Sequence, residues 1–190
     1  MWRQLAPALR AMVFFTLLTG LIYPGVMTAL CQALFPRQAN GSLVKVRGRI
    51  VGSALIGQKF TQPQYFHPRP SASNYDASAS AASNDGPTSE ALVERVKAAI
   101  AQFRKDNPDY SGPIPSDLVT ASASGLDPDI SVASAEAQAA RVAAARGVSV
   151  AQVRALIRQQ VERPTLGFLG PPRVNVLALN LALDRRFPRP

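Results

Sequence analysis

From Ala11 to Pro36 the chain reads AMVFFTLLTGLIYPGVMTALCQALFP, a run without one charged side chain. About 20 consecutive apolar residues cross the hydrocarbon core of a bilayer as a helix. Residues 11–36 are therefore predicted as a transmembrane helix, residues 1–10 as a short tail before it, and residues 37–190 as a single soluble domain. Arg3 and Arg10 would also suit the basic start of a cleaved signal peptide, but the run is too long for one and no small-residue cleavage site follows. Leu30 before Cys31 argues likewise against a lipoprotein signal. Within the run, Thr16 and Gly20 form a small-xxx-small pair and Pro24 predicts a kink, which suits packing among membrane helices and equally a plain anchor.

Beyond the span the period of the pattern changes. LVKVRGRIV, residues 43–51, alternates: Val44 and Val46 share one side, Leu43 shares the other with Lys45 and Arg47, and Gly48 breaks the register. This predicts a strand with a buried face and a basic outer one. Residues 52–88 are rich in Pro, Ser and Asn and form a long loop, yet Phe60, Tyr65, Phe66 and Tyr75 argue for order within it. A helix is predicted from Thr88 or Ser89, with Leu92, Val96, Ile100 and Phe103 as its stripe and Asn107-Pro108 as its stop. An alanine-rich helix follows Ser131 and runs to Arg146, where Gly147 supplies a left-handed cap. Ser149 and Gln152 make a capping box for the next helix, which faces Val150, Val153, Ile157 and Val161 inward until Pro164. PPRVNVLALNLALDRRF, residues 171–187, is read as a last helix with Val174, Leu177, Leu181 and Ala182 on one face. The fold class expected is α+β: one N-terminal transmembrane helix and a single mixed α/β domain.

Composition narrows the chemistry. The formal net charge is +9 and the pI about 10.6, which raises nucleic acid or anionic lipid as a partner. The charge is scattered, however: Arg141, Arg146, Arg154, Arg158 and Arg163 fall on helices or their ends, Lys45, Arg47 and Arg49 by the strand, and Arg185, Arg186 and Arg189 near the C-terminus. Positive residues after the span outnumber those before it, a weak vote for a cytoplasmic domain. The single cysteine, Cys31, excludes an internal disulfide and a multi-cysteine zinc site. No phosphate-binding G-x-x-x-x-G-K loop and no Asp-Lys-Thr-Gly phosphorylation motif occurs, so the chain is not read as an ATP hydrolase. His67, with Ser71 and Asp76 nearby in sequence, would be a hydrolase candidate only if the three met in space; a structural histidine between prolines is preferred.

Two further stretches invite competing readings. DLVTASASGLDPDIS, residues 117–131, could offer Ser122, Ser124, Asp127 and Asp129 to a hard cation, or backbone N–H groups to a phosphate. Asp127-Pro128 is also a turn initiator, and Asp129 or Ser131 a helix N-cap, so turning and capping are preferred and no metal is expected. AARVAAARGVSVAQVRALIRQQ, residues 139–160, has helix-turn-helix spacing, with Gln152, Arg154, Arg158 and Gln159 available to a major groove. A basic DNA-binding regulator is thus the alternative function, opposed by the membrane span and by an alanine surface suited to an ordinary helical hairpin.

The ordered set GSALIGQKF (52–60), YFHPRPSA (65–72), SNDGPT (83–88), PSDLVTASASGLDPDIS (115–131), QAARVAAARG (138–147) and LGFLGPPRVNVLALNLALD (166–184) resembles the C subunit of the bacterial Kdp-type potassium-transporting ATPase nearly end to end. The resemblance implies a non-catalytic accessory subunit of an ATP-driven, high-affinity potassium uptake complex in the inner membrane, with hydrolysis on a separate P-type subunit. It implies as partners that subunit, a potassium-channel-like subunit and a small single-span subunit, and no nucleic acid. It also implies a catalytic chaperone that raises the ATP affinity of the hydrolysing subunit, with ATP as a shared cofactor. Gln58, Ser122, Ser124, Gly125 and Asp127 are the candidate contacts to nucleotide or to a subunit. The resemblance further places the N-terminus in the cytoplasm and the soluble domain in the periplasm, against the charge count. ATP is absent there, so an effect on nucleotide affinity would have to travel through subunit contacts. The 117–131 loop is then expected to form, with residues 65–76, either a docking surface or an internal scaffold of turns.

Overall fold

The structure is a computed structural model that describes residues 2–188, so Arg189 lies outside the described residues. The chain divides into two units at Val51/Gly52.

In the first unit, α1 (Trp2–Leu17) continues through a π-helical turn (Leu18–Ile22) into α2 (Tyr23–Leu34). Residues expected as an N-terminal tail are thus helical. Pro24 has no N–H to offer the preceding turn, and the backbone widens just ahead of it: Tyr23 N–H donates to Leu18 O, five residues back. The predicted irregularity therefore lies one turn upstream of the proline. Arg3–Leu34 spans 32 residues at mean hydropathy 1.8 with none of its most apolar window buried, and is long and apolar enough to cross a membrane. Phe35 ends the helix in a non-helical conformation, the preference of a residue before proline, and Pro36 opens the short α3 (Pro36–Ala39).

The single strand predicted over 43–51 is instead a hairpin of β1 (Leu43–Val46) and β2 (Arg49–Ser53). Arg47 and Gly48 both take positive φ, 50° and 79°, which defines the two-residue primed turn that matches strand twist. The expected buried face does not form: Val44 is only half-buried, and Val46, Ile50 and Val51 are exposed.

In the second unit, α4 (Glu90–Asp106) starts on Ser89, whose side chain accepts from Leu92 N–H, and ends at Asn107. A 3-10 turn (Ser116–Leu118) leads to β3 (Asp129–Ser131), α5 (Val132–Arg146), α6 (Val150–Gln160) and β4 (Val161–Glu162). The chain closes with β5 (Arg173–Asn175) and α7 (Val176–Arg186). The Gly147 cap at φ 66° and the Ser149–Gln152 capping box stand where the sequence placed them. The last predicted helix begins later, because Val174 is needed in a strand: β5 lies between β3 and β4, antiparallel to both, with Val174 opposite Ile130 and Val161. The Asn175 side chain then caps α7, whose inner face is Val176, Leu179, Asn180 and Leu183, while Leu181 is only half-buried.

Helices α5, α6 and α7 enclose the core with this sheet: Ile130, Ala135, Ala139, Val142, Val153, Ile157, Val174, Leu179 and Leu183, joined by Phe66 from the long loop. Alanines on α5 permit close approach of α6. A smaller cluster of Phe103, Leu118 and Ala137 fixes α4 to the other side of α5.

Candidate functional site

After a turn closed by Tyr65 N–H to Gln62 O, Pro68 and Pro70 keep residues 66–70 out of helix and sheet. Phe66 is nevertheless fully buried, so the backbone beside it must find partners away from water. Side chains supply them. Asn180 Oδ1 accepts from Phe66 N–H at 2.8 Å and its Nδ2 donates to Phe66 O at 3.0 Å. One residue on, Gln138 repeats the arrangement, accepting from His67 N–H at 2.8 Å and donating to His67 O at 3.1 Å. Arg141 Nη1 donates to Pro63 O and Tyr65 O, and Arg146 Nε donates to Gln64 O. The carbonyls of residues 63–67 are all held by α5 and α7.

The two arginines are themselves fixed. Arg141 donates to Gln138 Oε1 at 2.6 Å and Asn107 Oδ1 at 3.0 Å; burial lowers its pKa to about 10, leaving it charged at neutral pH. Arg146, its side chain 2% exposed, pairs with Asp184 at 2.8 Å and lies 5.1 Å from the Tyr65 ring centroid, while Tyr65 OH donates to Asp184 at 2.9 Å. His67 Nε2 sits 3.2 Å from Gln62 O and 3.4 Å from Arg141 Nη1; burial first, then the Arg141 charge, lower its pKa. Ser71 Oγ donates to Gly125 O and Asp76 accepts from Ser78, so neither meets His67 and no triad forms among the described residues.

The 117–131 loop closes over the next stretch of the same segment. Ser122 N–H donates to Pro70 O, Ala81 N–H and Ser80 Oγ to Ser124 O, and Gly57 N–H to Leu126 O. Gly125 has φ 68°, and a Cβ there would lie 2.6 Å from both Ala81 O and Ser73 Oγ. Every carboxylate of the loop is engaged from within. Asp117 accepts from Ser131 N–H, Ser131 Oγ and Ser134 Oγ; Asp127 pairs with Arg69 at 2.9 Å and accepts from Asp129 N–H. Asp129 pairs with Arg173 at 2.9 Å and accepts from Asn175 Nδ2, while burial raises its pKa.

The structure therefore brings the Gly57–Gln58 segment and residues 122–127 into one scaffold. Ser122 and Gly125 are buried, Gln58 and Asp127 partly so, and Ser124 is exposed with its Oγ accepting from Leu126 N–H. Among the described residues no group of three His, Cys, Asp or Glu could hold a metal ion. A cavity of about 190 Å³ beside His67, Phe103 and Gln138 and another of about 240 Å³ between Tyr110 and the α5 alanines are smaller than usual ligand pockets. A groove of about 670 Å³ at Leu156, Arg185, Arg186 and Phe187 is wide open, and no predicted contact residue lines it. The proposed helix-turn-helix is a core hairpin: Gln152 is used as a cap and Arg154 pairs with Glu136.

Sequence reading missed the clamps and one surface. Gln138 and Asn180 stand on otherwise apolar helix faces, a signal of buried hydrogen bonding that was available. Leu166 and Phe168, 79% and 74% exposed, carried no periodicity that would flag them.

The model of the family described as KdpC: K+-transporting ATPase, c chain, matches residues 5–185. The chain belongs to the KdpC family. It is 58% identical to the potassium-transporting ATPase KdpC subunit of Caulobacter vibrioides over 99% of this chain and 96% of that one. The corresponding subunit of Myxococcus xanthus is 57% identical over 98% and 90%, and that of Rhodospirillum rubrum 55% identical over 99% and 98%. Membership spans the apolar helix, the clamped segment and the 117–131 loop together, and so covers both units of this KdpC chain. It displaces the DNA-binding alternative.

Proposed function

We propose that this KdpC chain is a non-hydrolysing accessory subunit of an ATP-driven potassium uptake complex of the bacterial inner membrane. Residues 3–34 span the bilayer, the N-terminus is cytoplasmic, and the unit from Gly52 onward is periplasmic. Its partners are a P-type ATPase subunit, a potassium-channel-like subunit and a small single-span subunit. It stabilises their assembly and raises ATP affinity through subunit contacts as a coupling free energy.

The observation that carries the indirect route is the internal pairing of the 117–131 loop. Asp117, Asp127 and Asp129 all bond to this chain's own donors, and Gly125 is packed against Ala81 and Ser73, so the loop is occupied as a scaffold. Direct nucleotide contact by the buried Ser122 or Gly125 would require breaking that packing, and contact by Asp127 would compete with its Arg69 pair.

Purification from membranes through a tag on this chain tests the assembly, with the hydrolysing and channel-like subunits expected in the same fraction. ATP dependence of hydrolysis is then compared with and without this chain. A rise in apparent ATP affinity on adding it supports the proposal, and photoaffinity labelling of this chain by an azido-ATP would overturn the indirect route.

A further inference from the structure

Residues 163–172, RPTLGFLGPP, join β4 to β5 and extend the antiparallel stem in which Val161 faces Val174 and Glu162 faces Arg173. Past the stem the chain does not fray. Thr165 and Leu169 bridge each other through two backbone bonds of 3.0 and 2.9 Å, and Gly167 N–H donates to Pro164 O at 2.9 Å. Leu166 is held at φ 56°, a region a branched residue seldom enters, followed by Gly167 at 85°. The outcome of this unusual turn is a fixed tip from which Leu166, Phe168 and Leu169 point into solvent at 79%, 74% and 49% exposure. Leu166 and Phe168 are more exposed than the exposed large hydrophobics of the N-terminal helix from Leu5 to Leu34, among which the highest value is 66% at Leu34.

A soluble surface does not need this feature. Three apolar side chains on a rigid turn, with the aromatic one between glycine and leucine, have the form of an interface anchor: ordering is complete before contact, so little entropy is lost on docking. The choice of occupant rests on charge. Loops that settle on anionic lipid carry a collar of several Lys or Arg. Here Arg163 is the only charged residue between Arg163 and Pro172, and Arg173 at the stem is already paired with Glu162 at 3.0 Å and Asp129 at 2.9 Å. The tip is electrically bare, which suits an uncharged apolar pocket in protein. The chain's helix already supplies membrane attachment, to which a three-residue wedge adds little.

We propose that the Leu166–Leu169 tip is a docking knob that inserts Phe168 into an apolar pocket on another subunit of the same ATPase. The inference rests on the subunit reading above and names the surface through which that reading operates in the second unit. Leu166 and Leu169 flank the anchor and exclude water from it.

The test uses the full chain produced together with the other subunits, carrying the photoreactive residue p-benzoylphenylalanine in place of Phe168. Irradiated membranes should yield a covalent adduct identified by mass spectrometry as this chain joined to another subunit of the ATPase. An adduct with phospholipid, an adduct with a second copy of this chain, or no adduct would each overturn the proposal. In parallel, Phe168→Ser should leave the thermal midpoint of the purified chain unchanged, because the side chain is exposed. It should lower the fraction of complex retained after detergent washing about fivefold or more; full retention sinks the knob and leaves the subunit reading standing. Recovery of the unaltered chain with no ATPase subunit would sink the subunit reading itself.

Discussion

Asn180 grips Phe66 by both of its backbone groups, 114 positions away in sequence, with bonds of 2.8 and 3.0 Å. The carboxamide thereby does for an isolated extended residue what a neighbouring strand does within a sheet. Asn180→Ala leaves a buried N–H and a buried C=O without partners, so a loss of about 2–4 kcal/mol is expected. Denaturant unfolding of the detergent-solubilised chain measures it, and Asn180→Leu should cost a similar amount despite its greater apolar volume. A neutral result for both would mean that Gln138, Arg141 and Arg146 suffice to hold the 63–67 segment.

His67 makes stability depend on pH. Burial and the nearby Arg141 charge lower its pKa from the ordinary 6.5, while Gln62 O and the Asp106 charge on α4 pull weakly the other way. Where the folded chain keeps the imidazole neutral, the unfolded chain takes up a proton. The unfolded state then binds more protons, and stability falls as pH falls. The contribution of His67 is complete above pH 6.5 and is lost as pH drops below that value through its lowered folded pKa. Thermal midpoints recorded across pH 5–7 should decline toward acid in the native chain and flatten in His67→Gln. An unchanged slope in the variant would assign the acid sensitivity to other groups.

Gly125 should not tolerate a side chain. Its φ of 68° and the 2.6 Å approach of Ala81 O to a would-be Cβ both oppose alanine, so Gly125→Ala is expected to cost about 2 kcal/mol or more. Gly86, with open space around it and no positive φ, is the control: Gly86→Ala should lie within about 0.5 kcal/mol of the native chain. Equal effects at the two positions would contradict the packing described.

Asp127 is a structural carboxylate whose removal should loosen the loop without releasing a metal. Asp127→Ala abolishes the 2.9 Å pair with Arg69 and the bond from Asp129 N–H, for an expected loss of about 1 kcal/mol. Adding calcium or magnesium, or removing both with a chelator, should leave the native thermal midpoint where it is. A midpoint that rises with calcium and does so less in the variant would instead make the loop a cation site.

The elements that could be read in advance are those decided by bonds to near neighbours. Ser89 caps α4 through Leu92, Ser131 caps α5 through Ser134, Gly147 ends α5, and Ser149 with Gln152 closes a box within three residues. The two-residue turn at Arg47-Gly48 was visible as a break in register and was underread, because one strand and a hairpin share the same alternation. The strands β3, β4 and β5 were missed because they are two or three residues long, too short for a period to register. Their existence depends on Val174 meeting Ile130 and Val161 across the core.

By its residues alone the chain determined that a helix with a long uncharged run would precede a mixed domain, since hydrophobic length and local capping need no distant partner. The motif order likewise placed it in its family. Only the tertiary structure decided what the polar residues are for. A carboxylate or carboxamide carries several acceptors and donors, and whether these meet a ligand or the chain's own backbone depends on which segments fold together. Gln138, Asn180, Asp117 and Asp127 all met the chain itself, while Phe168, an apolar side chain, was left facing outward.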